Sequence, residues 1–298
     1  MTVPVGPATQ PRDLAAACFS ILADAFFDEA GEPLPFSQPD KKDTQDDPFD
    51  VLVRNILDER LPQGVSVLSS GKNLVSPDLV VARPEETSLL IKGGWDLDPR
   101  HIVAIEVKKV KPAKDGKSGR AGGMDYNSTP PCSRVRIYAK NKKPLVVPSF
   151  YLFALHVPHG DQYLVRSLAL VSGSALNQDA RLYESRTGIR KKSINLGTFG
   201  DGLDRERPML VFANPLGWKW MSGTATLIHE RDDLADEQDL SRAREVIRNA
   251  FDGSKHSFWA YRRNDGRTTS ETPAVDPFPT PKNRSVETSP RGRFVVDL

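Results

Sequence analysis

The run Ile102-Val103-Ala104-Ile105-Glu106-Val107-Lys108 constrains this chain more than any other stretch. It is short, β-branched and bounded by charged segments, the pattern of a strand buried in the middle of a sheet. Side chains alternate along a strand, so Glu106 and Lys108 share one face while Val103, Ile105 and Val107 share the other. Two charges thus emerge from an apolar strand, where burial is costly unless they are paired or bind a metal.

The remaining elements are read around that strand. Leu14, Cys18, Ile21, Leu22 and Ala25 recur at helical spacing, which predicts a first helix over residues 13–29, stopped at Gly31. After a polar loop, Asp47 and Pro48 form an N-cap and first-turn pair. The second helix should run to residue 60, with Val51, Leu52, Ile56 and Leu57 as its apolar face and Pro62 and Gly64 ending it. Strands are expected at 65–68 and 79–81, paired as a hairpin, then at 101–107, 135–138, 150–157, 164–170 and 209–213. Residues 241–251, with Ala243, Val246, Ile247, Ala250 and Phe251 on one side and Gly253 following, predict a late amphipathic helix. The fold class is therefore α/β, a mixed central β-sheet flanked by helices that cover both faces. Residues 1–263 are read as a single domain, and 264–298, with five prolines and many Ser and Thr, as a disordered tail.

Cys18 and Cys132 lie far apart and form no CxxC pair, which argues against a disulfide framework or a structural zinc and for a reducing cytoplasm. No secretory leader and no run of about 18 apolar residues is visible, so no membrane association is expected. The net charge of +2 conceals a strong asymmetry. Residues 108–143 hold eleven Lys or Arg against Asp115 and Asp125, giving +9 there and −7 elsewhere. Alone, such a block is either a solvated face or a polyanion-binding surface.

Its position beside a chemical site favours the second. Ser76-Pro77-Asp78 leads into Leu79-Val80-Val81. If Asp78 opens the strand next to Glu106, the two carboxylates meet and offer the hard oxygen ligands that Mg²⁺ prefers. Such a metal lowers the pKa of bound water and stabilises charge on a phosphodiester, and Lys108 is placed to orient the nucleophile and neutralise a phosphate oxygen. Fragments of this pattern recur at Pro39-Asp40, Asp40-Lys41-Lys42 and Asp115-Gly116-Lys117, but those lie in polar loops.

On Pro77-Asp78 and Glu106-Val107-Lys108 the chain resembles the PD-(D/E)xK nuclease superfamily, which includes most type II restriction endonucleases. The resemblance is close over residues 65–110 and elsewhere extends only to the order of elements. It implies a restriction-endonuclease-like core at about 50–170, with Asp78, Glu106 and Lys108 catalytic. It also implies Mg²⁺ held by Asp78 and Glu106, with the Val107 backbone carbonyl and an upstream helical carboxylate, here Glu59, as further candidate ligands. The function implied is sequence-specific, Mg²⁺-dependent hydrolysis of double-stranded DNA by a homodimer, since both strands must be cut.

Lys109, Lys111, Lys114, Lys117 and Arg120 are candidate phosphate contacts. Asn127, Ser128, Thr129, Arg134 and Arg136 are candidate base readers, although Asn, Ser, Thr and Pro also make ordinary turns and exposed arginines also touch phosphate. Arg186, Arg190, Lys191 and Lys192 either clamp the far side of a duplex or form a solvated loop. Gly116-Lys117-Ser118 lacks the first glycine of a P-loop, and His156 and His159 lack a third ligand. No strained turn supports a nucleophilic serine, and Trp218 and Trp220 alternate as packed strand residues would. Two other functions compete: a repair or structure-selective endonuclease using the same site, and a non-catalytic DNA-binding protein.

Overall fold

Asp13 starts the first helix because its carboxylate accepts the Ala16 N–H at 3.0 Å, satisfying a donor that the helix leaves open. The computed structural model describes residues 13–39, 47–70, 75, 77–85, 87–88, 101–110, 132–138, 144–177, 202–203, 225–236, 239–249 and 255–263. Helix α1 covers Leu14–Phe26, and Asp47 caps α2, Pro48–Arg60, through the Phe49 N–H at 2.9 Å. A short α3, Gly173–Asn177, comes much later.

The strands are β1 (Pro35–Phe36), β2 (Ser66–Ser69), β3 (Leu79–Ala82), β4 (Ile102–Val110), β5 (Arg134–Tyr138), β6 (Pro144–His159) and β7 (Gln162–Ser172). They continue as β8 (Gly202–Leu203), β9 (Ala225–His229), β10 (Leu240–Asn249) and β11 (Lys255–Arg263). All eleven join one sheet, whose main path runs β10-β11-β9-β7-β6-β4-β3-β2. Pairs β4/β6 and β7/β9 are parallel and the other pairs antiparallel. The protein is thus a mixed α/β fold around a large mixed sheet. The expected β2–β3 antiparallel pairing is present, and β4 lies between β3 and β6 with Ile102, Val103, Ala104 and Ile105 all buried.

The two faces are covered differently. Alternate residues of β3 and β4, namely Leu79, Val81, Val103, Ile105 and Val107, pack with α1 and α2 through Leu14, Phe19, Leu22, Phe49, Val53 and Leu57. On the opposite face Val80, Ala82, Ile102 and Ala104 meet Val135, Ile137, Leu145 and Val147 of the β5–β6 ribbon, with Cys132. Ala175 of α3 joins Tyr151, Phe153, Val171, Ile228, Phe258 and Ala260 further across that face. Gly173 lies against the Cys132 carbonyl so closely that no Cβ fits there, which fixes α3 to the lead-in of β5.

The expectation of a late helix over 241–251 is overturned, because residues 240–249 are β10, paired with β11 from Leu240↔Arg263 to Asn249↔Lys255. Val246 and Ile247 are β-branched and suit a pleated surface, so pairing with a second strand overrode the helical spacing. The cover differs accordingly: α1 and α2 lie on one face, whereas among the described residues the other face carries α3 and the β5–β6 ribbon. The expected strand at 209–213 and the tail at 264–298 lie outside the described residues. Cys18 and Cys132 are both buried and free, and burial pushes the Cys18 thiol pKa up. Among the described residues no helix is long and apolar enough to cross a membrane.

Candidate functional site

The unequal lengths of β3 and β4 create the site. Their register runs from Ala82↔Ile102 to Leu79↔Ile105, where β3 begins, while β4 continues to Val110 and from there on pairs with β6 alone. One more step in the same register sets Asp78 opposite Glu106. Among the described residues no strand pairs with the β3-side edge of β4 beyond Ile105, and the Val107 N–H donates to Asp78 Oδ2 at 2.7 Å. In an extended strand the N–H and C=O of one residue face the same edge, so the Val107 carbonyl faces this opening too.

Glu106 and Lys108 follow the alternation read from the sequence. They lie on the face opposite Val103, Ile105 and Val107, which belong to the helix-side core. Glu106 is only 3 % exposed, and its Oε1 accepts from Lys108 Nζ at 2.7 Å. Burial raises the Asp78 pKa well above the carboxylate range, and the negative charges of Glu106 and Asp50 raise it further. The Lys108 ammonium and the Val107 N–H only partly offset this.

Asp50 is the site residue that the sequence reading missed. It lies in the first turn of α2, and burial, then the charges of Asp47 and Glu106, push its pKa up to about 7 against the pull of Lys108 and Lys109. Glu59, named from the sequence as the upstream carboxylate, is instead exposed in the last turn of the same helix. Nine residues separate the two, about 13 Å along the axis, so Glu59 lies away from the opening that Asp50 approaches. A carboxylate just after an N-cap reads in sequence as a partner for the helix dipole, which concealed it. The available signal was its position three residues after the Asp47 cap, on the turn that meets the sheet.

Lys109, expected at a phosphate, points the other way. Its Nζ meets Asp47 Oδ1 at 2.6 Å, tying β4 to the start of α2. Partial burial alone would raise the Asp47 pKa, but the Lys109 hydrogen bond and charge and the Phe49 N–H hold it below its ordinary value. Arg134 is exposed and Arg136 partly so, both on the outer face of β5, with Val135 and Ile137 buried beneath. Lys111, Lys114, Lys117, Arg120, Asn127, Ser128, Thr129, Arg186, Arg190, Lys191 and Lys192 lie outside the described residues.

Among the described residues no three His, Cys, Asp or Glu side chains stand close enough to form a ready metal site. The donors nevertheless suit a hard divalent cation: Asp78 and Asp50 are carboxyls whose ionised forms are opposed by each other and by Glu106, an electrostatic load that a bound cation relieves. His156 is engaged elsewhere, 2.9 Å from Gln38 Nε2 and stacked on Tyr163 with ring centroids 4.4 Å apart.

A second polar cluster, also missed from sequence, lies on the helix side. Buried Asp13 approaches His229 Nε2 and Arg231 Nη1, each at 3.4 Å. His229 Nδ1 accepts the Arg231 N–H at 3.0 Å, which assigns the proton of the neutral ring to Nε2, facing Asp13. The cluster ties α1 to β9 and contains no nucleophile. No family model, curated protein or solved structure matches the chain.

Proposed function

We propose that this protein is a metal-dependent DNA endonuclease of the PD-(D/E)xK type, and within that class a sequence-specific restriction endonuclease acting on double-stranded DNA as a homodimer. The observation that supports it best is the Val107 N–H bond that holds Asp78 beside Glu106 where β3 gives out, with Lys108 on the same strand face as Glu106 and Asp50 bearing on both acids. Each of these acids raises the electrostatic load on the others, and Lys108 meets Glu106 directly.

Asp78 and Glu106 would hold Mg²⁺, with Asp50 at its flank and the Val107 carbonyl facing the same opening. When bound, the cation supplies Lewis-acid stabilisation of the phosphoryl charge and acidifies water. The Val107 N–H holds Asp78 Oδ2 in place and favours the ionised form that a cation would need. Lys108 Nζ now donates to Glu106 Oε1; released from it, the same ammonium orients the attacking water or neutralises a non-bridging phosphate oxygen. Asp50, whose carboxyl pKa burial and the neighbouring acids push up to about 7, adds a third acid to the flank of that site.

The test is cleavage of supercoiled plasmid and phage DNA in Mg²⁺. Asp78→Ala, Glu106→Ala and Lys108→Ala should each lower cleavage by at least a hundredfold while DNA binding, measured by anisotropy, changes little. Full cleavage by Glu106→Ala would remove the site assignment. Discrete phage fragments support restriction; cutting confined to nicked, mismatched or branched substrates points to a repair nuclease; binding without any cutting points to a non-catalytic DNA-binding protein.

A further inference from the structure

Lys109, read from sequence as a phosphate contact, is built into the protein instead. It stands one residue beyond Lys108, on the helix-side face of β4 with Val107, and its strand neighbour Ala154 belongs to the helix-side core. Its side chain is 19 % exposed, and its Nζ meets Asp47 Oδ1 at 2.6 Å. That same oxygen accepts the Phe49 N–H at 2.9 Å, so one carboxylate atom both caps α2 and receives the ammonium. Helix and strand are thereby joined at the turn that carries Asp50.

Two contacts fix this turn, and they act in different directions. Phe49 is fully buried and meets the rings of Phe26, Phe36 and His156, with centroids 5.7, 6.1 and 5.5 Å away, which sets how deep the turn sits. One packed ring holds depth better than it holds roll about the helix axis. Successive helical side chains diverge by about 100°, whereas residues three apart share a face. Asp47 and Asp50 are three apart, and the Asp50 N–H donates to the Asp47 carbonyl at 2.9 Å. The Lys109 tie on Asp47 therefore sets the roll that Asp50 follows. Asp50 in turn bears on the opening: the charges of Glu106 and Lys108 act on it, and its own acts on Asp78. An ion pair with one partner 39 % exposed contributes little to stability, so its effect should be felt in geometry rather than in melting.

We propose that Lys109 and Asp47 are positioning residues of the endonuclease site: their ion pair holds the first turn of α2 against β4 so that the Asp50 carboxylate reaches the cation held by Asp78 and Glu106. The proposal rests on the endonuclease reading and names what that site needs beyond its motif residues. The rival role for Lys109 is direct contact with a DNA phosphate. The geometry opposes it, because the ammonium is already 2.6 Å from a carboxylate oxygen, on the face of β4 opposite Lys108 and toward α2. The two roles are separable, since a phosphate contact carries its own salt dependence and a tie within the protein does not.

The experiment measures Mn²⁺ binding by the full chain without DNA, from loss of the free-ion paramagnetic resonance signal. Beside it run duplex binding at stepped salt in Ca²⁺ and single-turnover cleavage in Mg²⁺. Lys109→Met should weaken Mn²⁺ binding on the order of tenfold or more and slow cleavage by a similar factor. Its melting temperature and the salt slope of its duplex binding should stay close to the wild type. Lys109→Arg, which still offers Asp47 a cation, should restore both binding and cleavage. Asp47→Ser keeps an N-cap but not the ion pair and should reproduce Lys109→Met, so the test survives if one variant folds poorly. With Asp50→Asn already present, Lys109→Met should cost little further, because the tie acts through Asp50. An undiminished loss in that background would mark a general weakening, and a salt slope shallower by about 1 a phosphate contact; either overturns the positioning role. Unchanged Mn²⁺ binding in Lys109→Met and Asp47→Ser, in a wild type that binds the cation and cuts DNA, overturns the tie and leaves the endonuclease reading standing. A wild type that binds no Mn²⁺ overturns both.

Discussion

Asp50 offers a test that needs no substrate. Its pKa is raised by burial and then by Asp47 and Glu106, so the folded state resists ionising it. Between about pH 4, where the unfolded carboxyl ionises, and about pH 7, where the folded one does, the folded state holds the extra proton. Stability attributable to this group therefore falls as pH rises through that window and is level above it. Asp50→Asn removes the penalty. In chelator its melting temperature should equal that of the wild type near pH 4 and exceed it by several degrees above pH 7. A melting difference independent of pH would show that Asp50 is not under this load. Asp13 is a structural group, buried with partners on two elements. Asp13→Ala removes the α1 cap and leaves His229 and Arg231 without it, a loss of about 2–4 kcal/mol measurable by urea unfolding.

At the scale of elements, local signals were legible where local chemistry decides. The Asp47-Pro48 cap fixed the start of α2, and the β-branched run at 102–107 marked β4 as buried on both faces. Glu106 and Lys108 share a face because alternation follows from the strand alone. What could not be read was partnership. Val246 and Ile247 suit one side of a helix and equally a strand, and only the presence of β11 decides between them. The same limit hid Asp50, whose role depends on α2 docking its first turn where β3 stops. Glu59, the upstream helical carboxylate named from the sequence, faces solvent, so mutation should separate them. Glu59→Ala should cut DNA at close to the wild-type rate, whereas Asp50→Ala should lose at least tenfold in single-turnover cleavage.

At the scale of the molecule, one sheet gathers strands from Pro35 to Arg263 and carries the candidate site near one side of its path. A duplex has two strands to cut and the described residues of each chain offer one such site, so the endonuclease reading predicts a complex of twice the 33.0 kDa chain mass on cleavable DNA by sedimentation. A 33.0 kDa species alone, cutting both strands in one encounter, would count against it. The Asp13 tie has a consequence for the order in which the chain is made. Helix α1 leaves the ribosome among the first described segments, yet the His229 and Arg231 that hold its cap come more than two hundred residues later, and β4 must wait for β6 before its second edge is closed. A chain released early therefore lacks both the clasp on α1 and the far strands of the sheet, so α1 gains its buried cap partners only after β9 has been made.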